Sequence, residues 1–449
     1  MGAVWCPAPR HSIASPARPP PVPTPTSQPS SSASSPAHVA VLELAALRRM
    51  SPDELFALAG KLGIGDARDL RHQELVMAVL EAHADRRGET HAEGILEILP
   101  DGFGFLRSPD NAYQPGIDDI YVSPSQIRRF GMRTGDSVRG TVRPPKETER
   151  YFALLRVEAI EGGAPDQHPQ LADFDDRVAQ PAQKSFALGS AKPSVRVADF
   201  FCPLGFGQRI LVKAPPRTGK TALLIELAQA IHAAHPDAHV TLCAVDLRPE
   251  DAQELEQALP GLAVVSTMAD PPARHVQLVE LVIERGKRAA ERGEDAIVLV
   301  DSLGRLARAV NVVLPPSGRS LVGALDASAV GKVKRWMAAA RRLETGGSLT
   351  IAASLATESG ARIDEVLADE LHETSAVELF LDRAAAAVHG HAVLAPARSS
   401  VRHAAALLGD DAAAWRELMT SPPSAERVLA TLSIASDRAA LISSLSAGG

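Results

Sequence analysis

The stretch that decides the fold of this chain reads Ala214-Pro215-Pro216-Arg217-Thr218-Gly219-Lys220-Thr221. Apolar runs flank it at residues 209–213 and 222–227, which predicts a strand, a tight loop and a helix. Apart from the alanine at its head, the stretch fits the phosphate-binding pattern G-x-x-x-x-G-K-[ST]. A glycine turn with a purely structural role is the alternative, but a strand before and a helix after are the context that nucleotide binding requires.

The residue types of this loop suit the phosphates of ATP. Backbone N–H groups at the helix N-terminus face the phosphates, and Gly219 lets the backbone approach them. Lys220 supplies charge for the β- and γ-phosphates, and the Thr221 hydroxyl completes the shell of Mg²⁺. Asp301 ends a buried-strand pattern, at the edge of the sheet where ligands bind. This position predicts that Asp301 interacts with Mg²⁺ and water. A role as the N-cap of the next helix is compatible with that prediction. The predicted nucleotide-binding loop comprises Pro215, Pro216, Arg217, Thr218, Gly219, Lys220, Thr221 and Ala222.

Composition narrows the classes of protein to which this chain can belong. A length of 449 residues predicts two or three domains, and a net charge of −7 confines any nucleic-acid contact to a local patch or groove. The cysteines Cys6, Cys202 and Cys243 form no pattern, which argues against a disulfide framework or a zinc site. No apolar run approaches the ~18 residues of a membrane span and no signal-peptide pattern opens the chain, so a cytoplasmic protein is expected.

Five segments differ in composition and periodicity. The Pro- and Ser-rich start cannot bury a core and is predicted to be disordered. Leucines at helical spacing and the cap Ser51-Pro52 then predict three short helices. Short β-type runs predict a small antiparallel barrel, and strands alternating with helices predict a parallel sheet covered on both faces. The predicted segments are a tail at 1–40, a helical subdomain at 41–88, a barrel at 89–160, a linker at 161–195 and an α/β domain at 196–449.

Apolar runs predict the individual elements of the α/β domain. The predicted strands beyond the phosphate-binding loop are 239–246, 262–266, 296–301 and 348–353. The predicted helices among them are 274–290 and 327–343.

The barrel segment contains all three tyrosines of the chain, interleaved with arginines. Rings that stack on bases beside cations that meet phosphates are typical of a surface that binds single strands. The alternative is that the rings fill the barrel core, which we expect for Phe130 and Phe152. It is weaker for Phe103 and Phe105, which alternate with glycines. Single-stranded nucleic acid is therefore the predicted partner.

Taken together, these motifs resemble one known family, the bacterial transcription termination factor Rho, over roughly residues 42–440. In the barrel the resemblance rests on DGFGFLR at 101–107, DDIYVSPSQIRRF at 118–130, RPPK at 143–146 and ERYFALL at 149–155. In the α/β domain it rests on DSLGRLARA at 301–309, GGSLTI at 346–351 and the alanine that heads the phosphate-binding loop.

The resemblance implies a homohexameric ring in which an OB-fold, cold-shock-like barrel precedes a RecA-like ATPase domain. ATP and Mg²⁺ would lie between subunits, and RNA would bind first on the barrels and then in the central hole. The implied activity is that of an RNA-dependent ATPase and ATP-driven RNA translocase or helicase. Such a protein binds nascent, pyrimidine-rich single-stranded RNA, acts on the RNA polymerase complex and releases the transcript.

The resemblance also implies roles for single residues. Arg248 would lie near the γ-phosphate, and His391 would stack on the adenine. Arg402 would enter a neighbouring subunit's site as an arginine finger and, with Lys220, Arg248 and Asp301, complete the catalytic set. The implied RNA contacts on the barrel are Phe103, Phe105, Arg107, Asp119, Tyr121, Lys146, Glu149, Arg150 and Tyr151. Those in the central hole are Arg319 and Arg362.

Two stretches depart from the family pattern. Where the family has Asp-Glu-Arg-Pro, with a glutamate that orients the attacking water, this chain has Leu247 between Asp246 and Arg248. A leucine cannot accept a proton from water. The second loop of the central hole, Lys-Gly-Thr-Gly in the family, reads HETS at 372–375, which places an acid beside RNA phosphates. Slow ATP hydrolysis is therefore the hypothesis, and a degenerate paralogue that binds RNA and ATP as a non-enzymatic regulator is the alternative.

Overall fold

The computed structural model describes residues 42–86, 88–116, 119–146, 148–168, 171–189, 192–319, 325–389, 392–432 and 438–447. The predicted disordered tail at 1–40 lies outside these residues, as does the predicted adenine-stacking His391. None of the helices in the described ranges is long and apolar enough to cross a membrane.

Strands and helices follow one another along the described chain. The strands are β1 (Leu42–Glu43), β2 (Thr90–Ile98), β3 (Gly104–Arg107), β4 (Ile120–Val122), β5 (Ser137–Arg143), β6 (Phe152–Ile160), β7 (Ala179–Gln180), β8 (Arg209–Ala214), β9 (His239–Leu247), β10 (Ala263–Thr267), β11 (Asp295–Asp301), β12 (Arg341–Leu343), β13 (Ser348–Ala356), β14 (Val377–Phe380) and β15 (Ser400–Val401). The helices are α1 (Leu44–Arg49), α2 (Pro52–Lys61), α3 (His72–Asp85), α4 (Pro124–Phe130), α5 (Pro193–Phe201), α6 (Lys220–Ala234), α7 (Pro249–Ala258), α8 (Pro272–Glu291), α9 (Leu303–Val313), α10 (Ala327–Ala338), α11 (Arg362–His372), α12 (Arg383–His389), α13 (Ala404–Leu408), α14 (Ala412–Leu418), α15 (Ala425–Leu432) and α16 (Arg438–Ala447).

The amino-terminal helices and the barrel share one hydrophobic core. The three predicted helices are present as α1–α3, and Ser51 caps α2 in a reciprocal capping box with Glu54. The barrel closes in the order β2-β3-β4-β6-β5 because β5 pairs back to β2. Its pairings are antiparallel except that β4 and β6 run parallel. Phe152 is fully buried in this core and Phe130 packs against it, which confirms the prediction for these two rings.

The second half is a parallel sheet in the order β10-β9-β11-β13-β8-β14, to which β15 adds an antiparallel edge. One hydrophobic cluster covers each face of the sheet, so apolar side chains of the same strand alternate between the two clusters. Because these strands are parallel, the carboxyl ends of β8, β9 and β11 meet at one edge. The phosphate-binding loop follows β8 at that edge.

The prediction of a helix over 327–343 is wrong at its carboxyl end. Helix α10 ends at Ala338, and residues 341–343 form strand β12 instead. This strand pairs antiparallel with both β13 and β7, so long-range backbone hydrogen bonds override the local helical pattern. The segment before α5 also packs tightly, since Phe174 and Phe186 are buried.

The barrel is joined to the α/β domain by polar contacts on helix α8. Arg133 of the barrel forms an ion pair with the buried Glu291 at the end of α8. Near the start of the same helix, the Gln277 amide donates a hydrogen bond of 2.5 Å to Glu97 Oε1 on β2. These contacts hold the barrel to the helix that packs under β9 and β11.

Candidate nucleotide site and nucleic-acid interface

The loop at 214–221 has the conformation that its sequence requires. Gly219 has φ of +85°, and a Cβ there would approach Ala392 to 3.2 Å, so both backbone and space select glycine. The Thr218 hydroxyl donates to the Pro215 carbonyl at 2.7 Å, which closes the loop. Lys220 opens α6, and its Nζ donates to the carbonyl oxygen of Pro215 at 2.9 Å. The Lys220 side chain is therefore held by a carbonyl oxygen of its own loop.

Asp301 lies beside this loop, as the sequence predicts. It is 1% exposed at the end of β11, and its Oδ2 accepts a hydrogen bond of 2.6 Å from the Thr221 hydroxyl. Ser354 on the neighbouring β13 donates to Oδ1 at 2.5 Å and fixes the carboxylate. The role of Ser354 was not found in the sequence, because its strand pattern is uniformly buried and marks no single position.

Arg305 is a second residue that the single-residue predictions missed. Its NH1 donates to the carbonyl oxygens of Val245 and Asp246 at 3.1 and 3.2 Å, and its NH2 lies 3.9 Å from Asp301 Oδ1. Burial lowers the pKa of Lys220, and the charge of Arg305 lowers it further, whereas Asp301 raises it. Two cations beside the phosphate-binding loop make the site electropositive, which suits phosphate groups. The motif at 301–309 was a signal that could have identified Arg305.

The end of β9 contains the departure from the family pattern. Leu247 is 4% exposed and belongs to the hydrophobic cluster on one face of the sheet. Asp246 before it has φ of +54°, and Arg248 after it is exposed at the N-terminus of α7. Glu250 and Asp251, the nearest carboxylates that follow, lie exposed in the first turn of α7.

Arg402 lies at the opposite edge of the sheet from the phosphate-binding loop. Its backbone N–H donates to the Ala376 carbonyl at 2.8 Å, directly before β14. It lines a groove of about 220 Å³ together with Arg209, the first residue of β8. The loop follows the last of the six residues of β8, and a strand of that length spans about 17 Å. The exposed Arg402 side chain is therefore remote from the phosphate-binding loop of its own chain.

Four aromatic rings of the barrel form a cluster. The centroid of Phe105 lies 4.9 Å from that of Tyr151, 5.8 Å from that of Phe103 and 6.2 Å from that of Tyr121. Phe105 is 8% exposed at the base of the cluster, whereas the other three rings are partly exposed. The rings of Phe103, Tyr121 and Tyr151 are therefore accessible to solvent, and the buried ring of Phe105 supports them from below.

Arg107 and Asp119 form a buried ion pair next to these rings. Arg107 Nε also donates to Glu97 Oε2 at 2.7 Å, and its guanidinium lies 5.0 Å from the Phe105 centroid. Asp119 Oδ2 accepts a further bond from the Gly116 N–H at 2.8 Å. Both groups are therefore buried and held in fixed positions by partners within the barrel.

A groove of about 660 Å³ opens beside Tyr121 and Tyr151. Glu149 lies in its wall, where Arg143 binds it with two hydrogen bonds of 2.5 and 2.9 Å. The Arg143 hydrogen bond is the main cause that lowers the pKa of Glu149 to about 2. The Arg150 guanidinium lies 5.8 Å from the Tyr151 ring centroid. Lys146 is exposed on the same turn, and its N–H donates to Glu149 Oε2 at 3.2 Å.

The two predicted loops of the central hole are only partly described. Arg319 is exposed, and its carbonyl accepts a hydrogen bond of 3.0 Å from Ala327, while residues 320–324 lie outside the described ranges. Arg362 is exposed at the start of α11. At the other end of that helix His372 and Glu373 are exposed.

Three family models match the chain. They are the Rho termination factor N-terminal domain over residues 46–88, the Rho termination factor RNA-binding domain over 92–166 and the ATP synthase alpha/beta family nucleotide-binding domain over 194–393.

Curated relatives match over most of their length. Transcription termination factor Rho of Buchnera aphidicola (subsp. Schizaphis graminum) is 45% identical over 76% of this chain and 83% of its own. The protein of the same name from Escherichia coli K12 is 44% identical over the same shares. That from Pseudomonas aeruginosa is 42% identical over 82% and 90%. Among solved structures, a type III secretion ATPase of pathogenic bacteria is 18% identical, with a TM-score of 0.49 over 60% of this chain and 86% of that one.

Proposed function

Because this chain belongs to the family of transcription termination factor Rho, we propose that it binds nascent RNA, hydrolyses ATP when RNA is bound and releases transcripts from RNA polymerase. The observation that carries the proposal is that one chain holds both an aromatic groove on a barrel and a phosphate-binding loop completed by Thr221 and Asp301. A motor that moves along RNA needs both sites. A cytoplasmic location follows from the same proposal, because bacterial RNA polymerase works there.

The nucleotide would be held by the loop at 214–221. Lys220 would contact the β- and γ-phosphates, and Arg248 would approach the γ-phosphate from the start of α7. Thr221 and Asp301 fit Mg²⁺, because a hydroxyl and a carboxylate converge within 2.6 Å and hard oxygen atoms are the ligands that this ion prefers. When bound, the ion would neutralise charge on the phosphates. Ser354 and Arg305 would keep the carboxylate aimed at it.

The position of Arg402 supports an oligomeric ring. Because Arg402 lies at the sheet edge opposite the phosphate-binding loop, it can complete only a site that belongs to another subunit. Arginine fingers supplied in trans accelerate hydrolysis by about 10³–10⁵-fold. In a closed ring of six copies, every subunit supplies its arginine to one neighbour and receives an arginine from the other, as a heterologous interface requires. We therefore include the homohexamer in the proposal.

The barrel is proposed to prefer pyrimidines, and cytosine above all. Tyr121 and Tyr151 would stack on bases, with Phe103 beside them, and stacking alone accepts any base. Glu149 keeps its negative charge because of its low pKa, so it can accept a hydrogen bond from the amino group of cytosine in the groove. Uracil has no such donor. Arg107 and Asp119 are buried and paired with each other, so they would hold the barrel surface beneath the rings in place.

Turnover is proposed to be slow, because the position where the family has its water-orienting glutamate holds the buried Leu247. A second candidate function follows from the same residue. If no other group orients the water, the protein would bind RNA and ATP without hydrolysis and act as a regulator.

The deciding experiment is a steady-state ATPase assay on the full chain with poly(C), with poly(A) and without RNA. We expect slow hydrolysis that depends on RNA and is fastest with poly(C), and its loss in Lys220→Ala. Release of a labelled transcript from RNA polymerase would be measured alongside. Hydrolysis that ignores RNA would refute the proposal, while RNA and ATP binding without hydrolysis would favour the regulator.

A further inference from the structure

A buried lysine lies in the strand that leads into the phosphate-binding loop. Lys213 on β8 is 4% exposed, directly before Ala214. It points to the same sheet face as Leu211, under the apolar side of α11. Lysine is almost never fully buried unless it is paired, so its presence at this position requires an explanation.

The partner of Lys213 is an equally buried glutamate on the neighbouring strand β14. Lys213 Nζ lies 2.5 Å from Glu378 Oε1, and its next polar contact is the Ala368 carbonyl at 3.4 Å. The ammonium also lies 5.4 Å from the centroid of the Phe380 ring. One carboxylate oxygen of Glu378 therefore faces the strand of the phosphate-binding loop.

Both oxygens of Glu378 also contact the loop at 372–375. Its Oε2 lies 2.9 Å from His372 Nδ1, and the Ser375 hydroxyl donates to Oε1 at 3.0 Å. The His372 side chain is 63% exposed, so the contacts run from the surface into the core. We call the chain of contacts Lys213–Glu378–His372 the buried relay.

A second contact ties the same loop to the other end of β8. Arg209 Nε donates to the Thr374 carbonyl at 2.6 Å, and the Ala376 N–H donates to the Arg209 carbonyl at 2.9 Å. The loop at 372–375 is thus attached to both ends of one strand. The last residue of that strand, Ala214, accepts a hydrogen bond of 3.2 Å from Lys220 Nζ. A shift of the loop therefore acts on β8 and through it on the lysine that binds phosphate.

Stability alone does not explain the relay. A buried ion pair is weak evidence for stability, since a well-packed apolar pair of similar volume often serves as well or better. What the relay adds is a connection of fixed geometry between an exposed histidine and the nucleotide loop. That histidine lies in the loop at 372–375, which the resemblance to the Rho family places in the central hole of the ring, where RNA would pass.

We propose that Lys213 and Glu378 are positioning residues that transmit the presence of RNA at the loop 372–375 to the phosphate-binding loop. This inference rests on the proposed RNA-dependent ATPase. RNA phosphates that draw His372 away from Glu378 change how that carboxylate holds Lys213, and so the placement of Lys220.

The test compares the parent with the full-length variant Lys213→Met/Glu378→Gln, which removes both charges and keeps both volumes. ATP hydrolysis is measured without RNA and over a range of poly(C) concentrations. We expect the maximal stimulation by RNA, taken as the ratio of the RNA-saturated rate to the RNA-free rate of the same protein, to fall by about five-fold or more, the lower range of ordinary coupling between sites. Unchanged maximal stimulation overturns the inference alone, whereas a parent without RNA stimulation overturns the proposed function as well.

A second pair of variants keeps the test valid if the double variant does not fold. His372→Asn retains a donor near the position of Nδ1, and His372→Leu does not. Loss of coupling lowers the maximal stimulated rate in His372→Leu and leaves it near the parent value in His372→Asn. If both variants only raise the poly(C) concentration needed for half-maximal stimulation, His372 is an RNA contact and the relay carries no signal.

Discussion

Leu247→Glu tests the reasoning about turnover most directly. Leu247 ends β9, and β9 pairs with β11, which ends in Asp301. A glutamate there restores the carboxylate that the family uses to orient water. We expect ATP hydrolysis with poly(C) to rise by about 10²-fold, the lower end of what a positioned acid–base group contributes.

The same substitution lowers the free energy of unfolding. Leu247 is 4% exposed, so its removal forfeits about 1.5–3 kcal/mol of apolar burial. Burying part of a carboxyl group costs a further ~1–3 kcal/mol. The resulting loss of about 2.5–6 kcal/mol is smaller than most of the ~5–15 kcal/mol range of domain stability, so we expect the variant to remain folded with a lower Tm.

The pH dependence of the rate separates catalysis from a change in packing. Burial raises the pKa of an introduced carboxyl group, so below that pKa the group is protonated and accepts no proton from water. The gain in rate should therefore be larger above that raised pKa than below it. Leu247→Gln is the matched control, because it has the same shape without a base. A glutamate variant that is folded yet no faster than Leu247→Gln at any pH would refute the assignment of the missing carboxylate.

Three other predictions concern the remaining sites. Tyr121→Ala should weaken the binding of an oligo(C), measured by fluorescence anisotropy, by ~1–3 kcal/mol. The Tm should change little, because the ring is partly exposed. Unchanged affinity would remove this ring from the RNA site. Mixed assemblies of Lys220→Ala and Arg402→Ala subunits should recover ATPase activity that neither variant has alone. Where the two variants meet, the loop of the Arg402→Ala subunit is intact and so is the arginine of the Lys220→Ala subunit. No recovery would place Arg402 outside the neighbouring site. Glu149 has its pKa lowered to about 2, so its ion pair with Arg143 is complete above the ordinary carboxyl pKa and is lost only as pH falls through about 2. RNA affinity should consequently not change from loss of this pair between about pH 5 and pH 8, and Glu149→Gln should lower cytosine preference over that whole range.

Local patterns were sufficient to predict the elements that hold the nucleotide. The strand, loop and helix around Gly219 need only the residues that form them, and Asp301 ends a strand whose burial is visible in its apolar run. The closed barrel was predictable for the same reason, since short strands between turns leave few alternatives. The carboxyl end of α10 was not, because β12 depends on partners in β7 and β13 that no local pattern reveals.

Contacts between distant charges account for most of what the sequence did not reveal. Arg107 was predicted as an RNA contact from the family resemblance, but the sequence could not show that Glu97 on β2 and Asp119 directly before β4 hold its guanidinium. Lys213 interrupts an apolar run, which is a visible anomaly, yet its partner Glu378 lies on a strand far along the chain. Burial of a charge can be suspected from a pattern, whereas the identity of its partner requires the fold.

Strand β8 connects the sites that a ring motor must coordinate. Its amino end lies beside the exposed Arg402, the residue proposed to serve a neighbouring subunit. Its carboxyl end carries the phosphate-binding loop, and Lys213 near that end holds Glu378 and, through it, the loop at 372–375. Strand β8 pairs with β13 from Arg209 to Ala214 and with β14 from Ile210 to Lys213, so both of its ends belong to one hydrogen-bonded element. The proposed roles of Arg402, of the loop at 372–375 and of the phosphate-binding loop therefore meet on one strand, so the coupling proposed above needs no linkage outside β8 and its neighbours.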